Sequence, residues 1–217
     1  MLQTNIEGTF SKELRDKLDP AKVAAICARL ARNHTWQTPT LTVLRALANL
    51  DDPGFTSDVR LKYMPPSIRE GWNRPTQRTA DDFLEARNAY GLYLTIVGYM
   101  RRSGVPLLAG TDTPNPQCFP GFSLHDELAL LVEAGLSPME ALQTATRNAA
   151  VYLGTLDSYG TVEKGKTADL VMLDASPLEN IGNRRKIAGV MVGGLLFPRP
   201  ALDNKMLADA EALARLR

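Results

Sequence analysis

Asp112 stands just past a short apolar run, Val105-Pro106-Leu107-Leu108-Ala109, with Gly110 and Thr111 between. The run predicts a buried strand that delivers a carboxylate at its C-terminal end, where α/β barrels and open α/β sheets place catalytic groups. A carboxylate in that place can bind a divalent metal and accept a proton from water. It can also do no more than satisfy backbone N–H groups of its loop, and position alone leaves both readings open. Thr111 and Thr113 flank it and can hydrogen-bond the carboxylate or a ligand. His125 lies thirteen residues on, at the start of the next helical pattern, beside Asp126 and Glu127. A His there can touch a substrate carbonyl or carboxylate, or a metal, although a lone His is more often structural. Glu127 reads as a carboxylate near a helix N-terminus and needs no catalytic role. His34, between a helix end and a strand, carries no functional expectation.

Other chemistry is missing. The sequence holds no His-x-His, His-Glu-x-x-His, Cys-x-x-Cys or Gly-x-Ser-x-Gly, and no Gly-rich phosphate loop. Cys27 sits among apolar residues of a helix and reads as core. Cys118 lies in the Pro-rich loop after Asp112, where a free thiol near a site is conceivable. A net charge of +1 gives no pull toward nucleic acid or an anionic membrane. No apolar run reaches the length of a membrane span. Met1 to Gly8 shows neither a basic region nor an apolar one, so no signal peptide and a cytoplasmic location are expected. Arg101-Arg102 and Arg184-Arg185-Lys186 read as solvated faces.

The elements that must position Asp112 follow from periodicity and punctuation. A short helix is expected over Ser11–Leu18. Asp19-Pro20 opens a helix through Asn33 on Val23, Ile26, Cys27, Leu30 and Ala31. Thr35–Leu44 is rich in β-formers and predicts a strand, with Pro39 better suited to a strand start and a helix beginning within the run and ending by Leu50. Residues 51–78 read as a long excursion without regular structure. Its Tyr63 and Trp72 either face a substrate or pin the loop to the body. Thr79 caps a helix running to Arg102, closed by Ser103-Gly104. After the strand come helices from Ser123 to Glu133 and from Ser137-Pro138, the second opened by a capping box with Glu140, and a further turn over Ala149–Leu153. Gly160–Glu163 and Ala168–Leu173 read as strands. Ile187–Val192 and Leu195–Phe197 read as a hairpin about Gly193-Gly194. Asp203–Arg217 reads as a terminal helix. Helix, Gly turn and buried strand in succession mark an α/β protein.

Three segments in this order resemble the amidohydrolase superfamily: Ala109-Gly-Thr-Asp112 with Gly121-Phe-Ser-Leu-His-Asp-Glu-Leu128; Ala134-Gly-Leu-Ser-Pro-Met-Glu-Ala-Leu142 running on to Ala150; and Gly160-Thr-Val-Glu-Lys-Gly-Lys-Thr-Ala-Asp-Leu-Val-Met-Leu-Asp174. The branch resembles imidazolonepropionase-like and Xaa-Pro-dipeptidase-like enzymes, strongly over about 103–197 and more weakly over 20–50. The resemblance implies a metal-dependent (β/α)8 barrel with a small β-sandwich built from both chain termini. Residues 1–155 would be a partial barrel, 156–200 the C-terminal strands of the sandwich, and 201–217 a terminal helix. Thr38–Leu41 would belong to the seventh barrel strand and Gly110-Thr111-Asp112 would end the eighth. Asp112 would bind a divalent metal, zinc being expected, and act as general base, with His125 and Thr111 as candidate substrate contacts.

The family's other metal ligands have no counterpart in this sequence, and a full barrel needs about 250 residues. The chain is therefore expected to be the C-terminal portion of a hydrolase of amide, dipeptide or cyclic-amide C–N bonds, inactive alone. It would work as a homo-oligomer or with an N-terminal barrel half, and without nucleic acid or membrane. Two parallel strands without neighbours predict bare edges. The competing expectation is a non-catalytic α/β piece that assembles with, or regulates, a full-length homologue.

Overall fold

A computed structural model describes residues 18–73 and 77–214. The helix expected over 11–18 falls, Leu18 apart, outside them. Helix α1 spans Pro20–Arg32, and the Asp19 carboxylate accepts from the N–H groups of Ala21 and Lys22 as expected of the cap. Its Cys27 is buried in the main core with Leu41, Val97, Val105, Leu107, Leu128 and Leu131.

Thr35–Leu44 divides in two. Gln37 alone pairs, in a parallel bridge with Leu107: Gln37 N donates to Pro106 O at 3.0 Å and Leu108 N to Gln37 O at 2.9 Å. Pro39 has no N–H to continue the ladder, and Thr40 turns at φ 49° into α2, Leu41–Ala48. The strand expected here shrinks to one bridge residue, and the helix expected to begin within the run starts at Leu41.

The excursion is more regular than its composition suggests. It holds α3 (Pro53–Thr56), a 3-10 turn (Val59–Tyr63) and α4 (Pro66–Trp72). Asp52 and Asp58 each accept the N–H two residues on, at 2.8 Å, and prolines preset the first turns of α3 and α4. Short capped turns of this kind carry no hydrophobic period, which is why sequence periodicity passes over them.

Helix α5, Ala80–Arg102, opens on a reciprocal box between Thr79 and Asp82 and packs on α1 and α2. Gly104, at φ 72°, turns the chain into the extended segment 105–110. Then follow α6 (Ser123–Glu133), α7 (Pro138–Thr144), whose box joins Ser137 and Glu140, and α8 (Arg147–Tyr152). These helices close one edge of segment 105–110, which was expected to be bare. Ala109 N donates to Thr144 O at 3.2 Å, and the Asn148 side-chain amide donates to Leu107 O at 3.0 Å. Gly110 passes so close to its neighbour that a Cβ on it would lie 2.4 Å from Thr38 Cγ2.

The C-terminal unit is an antiparallel sheet in the order β1 (Leu170–Leu173), β2 (Ile187–Val192), β3 (Leu195–Pro198). Gly193 and Gly194 both take positive φ, 55° and 85°, which suits the two-residue turn of the β2–β3 hairpin. No strand forms at Gly160–Glu163. Gly160, at φ 87°, is pressed on Ala150, and Lys166 folds back to donate to Thr161 Oγ1, so the segment closes on itself as turns. Val171, Val190 and Phe197 align across one face, which stays largely open, with Val171 56% exposed. Helix α9, Arg199–Ala214, follows β3 directly and begins before the expected Asp203. Among the described residues no helix is long and apolar enough to cross a membrane.

Candidate functional site

Asp112 lies where expected, two residues beyond the extended segment, with an exposed side chain. Its backbone is left-handed, φ 52°, a region L-residues other than Asn and Asp seldom enter. The loop after it holds that shape. Asp112 O accepts from Asn115 N at 3.2 Å and from Asn115 Nδ2 at 2.7 Å. Thr113 Oγ1 donates to Cys118 O at 2.7 Å, across a loop that includes a cis Thr113–Pro114 bond. Thr111 is half-buried at the segment's end.

The excursion braces the far side of this loop. Trp72 Nε1 donates to Pro114 O at 3.0 Å, and its ring meets Phe119 edge-on at 5.3 Å. Tyr63 stacks on Phe122 at 5.3 Å, and the Arg60 guanidinium lies 4.5 Å from the Phe119 ring centre. Both aromatics therefore act as pins. Gln117, at φ 60° and buried, reaches Thr56 O at 3.4 Å. Cys118 is fully buried, and burial together with the Asp112 charge pushes its thiol up to about 12. It is no nucleophile at neutral pH.

Three consecutive residues of α6 have three different roles. The His125 side chain is half-buried. Its Nδ1 has no hydrogen-bond partner among the described residues, and no hydrogen bond joins it to Asp112. Burial and the adjacent Arg184 and Arg185 lower its basicity. Its carbonyl accepts from Arg184 Nε at 2.7 Å. Asp126, buried, is shared by Arg60 (2.6 Å), Arg45 (3.8 Å) and Arg185. Glu127, with no exposure at all, receives Leu41 N at 3.1 Å, Thr42 N at 2.8 Å and Thr42 Oγ1 at 2.6 Å. It caps α2 rather than its own helix, and so marks at Leu41 the start of the helix expected within Thr35–Leu44.

The basic run is a correction. Arg184 is buried, donating to Ile181 O as well as to His125 O, and only Arg185 and Lys186 are exposed. No sequence signal marked Arg184 or Asp126 as partners of a seam; the acidic start of α6 and a distant basic turn were the nearest hints. His34 is exposed at φ 49° and joins neither group.

The described residues hold no group of three His, Cys, Asp or Glu side chains that could hold a metal ion. Asp112 offers one donor, so these residues do not by themselves fit a metal centre, for which catalytic zinc uses about three protein ligands.

A strand-end carboxylate beside a parallel bridge, with helices packed behind, is an arrangement of the α/β class. The amidohydrolase family model matches residues 95–196, a little under half of the chain. It is 31% identical over 140 residues to an ochratoxinase of Aspergillus niger, covering 62% of this chain and 26% of that protein. It is 46% identical over 76 residues to an imidazolonepropionase of Pyrobaculum arsenaticum, covering 35% of this chain and 18% of the relative. The crystal structure of a Xaa-Pro dipeptidase with bound methionine superposes with a TM-score of 0.57 at 21% identity, over 83% of this chain and 38% of that one. The chain thus spans about a quarter of the first of these relatives, and the fold it shares with the dipeptidase is a part of a larger one.

Proposed function

We propose that the chain is the C-terminal part of a hydrolase of C–N bonds, acting on an amide, a dipeptide or a cyclic amide. Segments 36–38 and 105–110 are the seventh and eighth strands of its barrel, and β1–β3 are the C-terminal share of its sandwich. Asp112 is the residue that acts: it contributes one donor to a divalent-metal site, zinc in the first instance, and takes the proton from the attacking water. Thr111 and His125 are its candidate substrate contacts. The remaining donors come from polypeptide outside the described residues, as an N-terminal barrel half or from another copy.

The observation that carries this reading is the placement of Asp112. An exposed carboxylate, held in a left-handed loop, sits at the C-terminal end of one of two bridged parallel segments. This is the end of a barrel at which active sites form. The kinship of residues 95–196 supports it.

The test is complementation. The purified chain, stripped of metal and reloaded with zinc, should show no amide or dipeptide hydrolysis. Adding a polypeptide that carries the six preceding barrel strands should restore it, and Asp112→Asn should abolish the restored activity. Efficient turnover by the zinc-loaded chain alone would overturn the reading.

A further inference from the structure

The β unit joins the helical layer at a seam between α6 and the 3-10 turn Ile181–Arg185. Charge is unevenly matched there. The turn contributes Arg184 and Arg185, with Lys186 next in sequence. The 3-10 turn Val59–Tyr63 contributes Arg60, and α2 contributes Arg45. Against these stand Asp126 of α6 and Asp58. Asp58 is held by Arg60 at 2.7 Å, and Asp126 already serves Arg60, Arg45 and Arg185. Arg184 has no carboxylate within ion-pair distance among the described residues: its donors go to the carbonyls of His125 and Ile181. His125, whose carbonyl takes Arg184 Nε at this seam, has its Nδ1 buried and without a hydrogen-bond partner among the described residues.

We propose that this seam is a pH-sensitive latch, in which His125 is the proton acceptor and the Ile181–Arg185 turn is the part released. A neutral imidazole is tolerated beside Arg184 and Arg185. A protonated one adds a cation where both carboxylates are committed, and the exposed Arg185 and the turn can relieve the repulsion by leaving α6. The β unit is then held by fewer bonds, while α1, α2 and α5 keep their own core. The direction is consistent with the lowered basicity of His125, for which burial is the first cause and Arg184 and Arg185 the next. Closure holds above the ordinary imidazole pKa of about 6.5 and weakens as pH falls below it.

The test is hydrogen exchange of the full 217-residue chain, compared at about pH 7.5 and pH 5.5 after correction for intrinsic rates. Protection of Ile181–Lys186 should fall on acidification, by at most about tenfold at pH 5.5, which lies about one unit below the ordinary imidazole pKa. The core of α5 should not change. The sequence has only two histidines, and the raised pKa of buried Glu127 on the same helix acts in the opposite direction, so His125 is singled out by the sign and by variants. His34→Gln should keep the effect, and His125→Gln should remove it. Should His125→Gln fail to fold, Arg184→Gln should shrink the effect, because the buried cation beside the ring is gone. The His125 ring resonances of the unmodified chain give an independent reading. Unchanged protection of the turn, a pH response that survives His125→Gln, or a His125 ring titrating at or above 6.5 would each overturn the proposal.

Discussion

Thr42 donates both its backbone N–H and its hydroxyl to one oxygen of Glu127, 85 residues away, while Leu41 N donates to the other oxygen. A fully buried carboxylate thus does for α2 what an N-cap side chain does elsewhere, and Thr40, the residue in the cap position, makes no side-chain cap bond. It also ties the end of segment 36–38 to the helix that follows Asp112. Replacing Glu127 by Gln puts an amide donor against these donors and should cost about 1–3 kcal/mol in urea unfolding. Thr42→Val should cost about 1 kcal/mol, and the double variant should be less than additive. The pH dependence carries a sign. Burial, the leading cause, raises the Glu127 pKa despite bonds from Thr42 and Leu41 that lower it. Its contribution to stability is therefore full below the unfolded value, about 4.3, and is lost as pH rises through the higher folded value. Glu127→Gln should remove that part of the profile.

Asp112 holds a left-handed conformation that Asp tolerates and glycine adopts with less strain. At φ 52° a glycine is at ease. Asp112→Gly should leave the chain as stable or more stable, by up to about 1 kcal/mol, in thermal unfolding. In the complemented protein the same change should abolish hydrolysis. A variant that gains stability and loses all activity separates a functional carboxylate from a structural one.

Gly110 holds the two parallel segments at their closest approach. Gly110→Ala sets a Cβ against Thr38 Cγ2 and should destabilise the chain by about 1–3 kcal/mol. Thr38→Ser removes the obstructing methyl, so the pair Gly110→Ala/Thr38→Ser should recover most of the loss, as denaturant midpoints will show.

Trp72 holds the Asp112 loop by one hydrogen bond and one ring contact. Trp72→Phe keeps the contact with Phe119, loses the bond to Pro114 O, and should cost about 1 kcal/mol. Local proteolysis within 113–120 should rise more than the global loss accounts for.

Cys118 should be silent. With its thiol pushed up to about 12 and no exposed surface, thiol reagents at neutral pH should modify it only through unfolding, and Cys27, also buried and raised, should behave alike. A rapid native-state reaction at either would contradict the packing described.

The sequence by itself determined what acts over a few residues. Asp19-Pro20, the Thr79–Asp82 and Ser137–Glu140 boxes, Gly104 and the Gly193-Gly194 turn fix helix ends and the hairpin, because a cap or a positive φ is decided within about one turn of chain. It also placed Asp112 at the end of its extended segment and carried the match of residues 95–196 to the amidohydrolase family model. The tertiary structure alone decided what depends on partners far along the chain. Glu127 reaches back to cap α2, 85 residues away, at a start that the sequence left anywhere within Thr35–Leu44. Asp126 gathers arginines from three elements. Arg184 is buried although Arg185 and Lys186 after it are exposed, Tyr63 and Trp72 become braces, and Asn148 closes an edge expected to be bare. In each case the free energy comes from satisfying a buried polar or aromatic group, and no local pattern encodes which distant residue will do so.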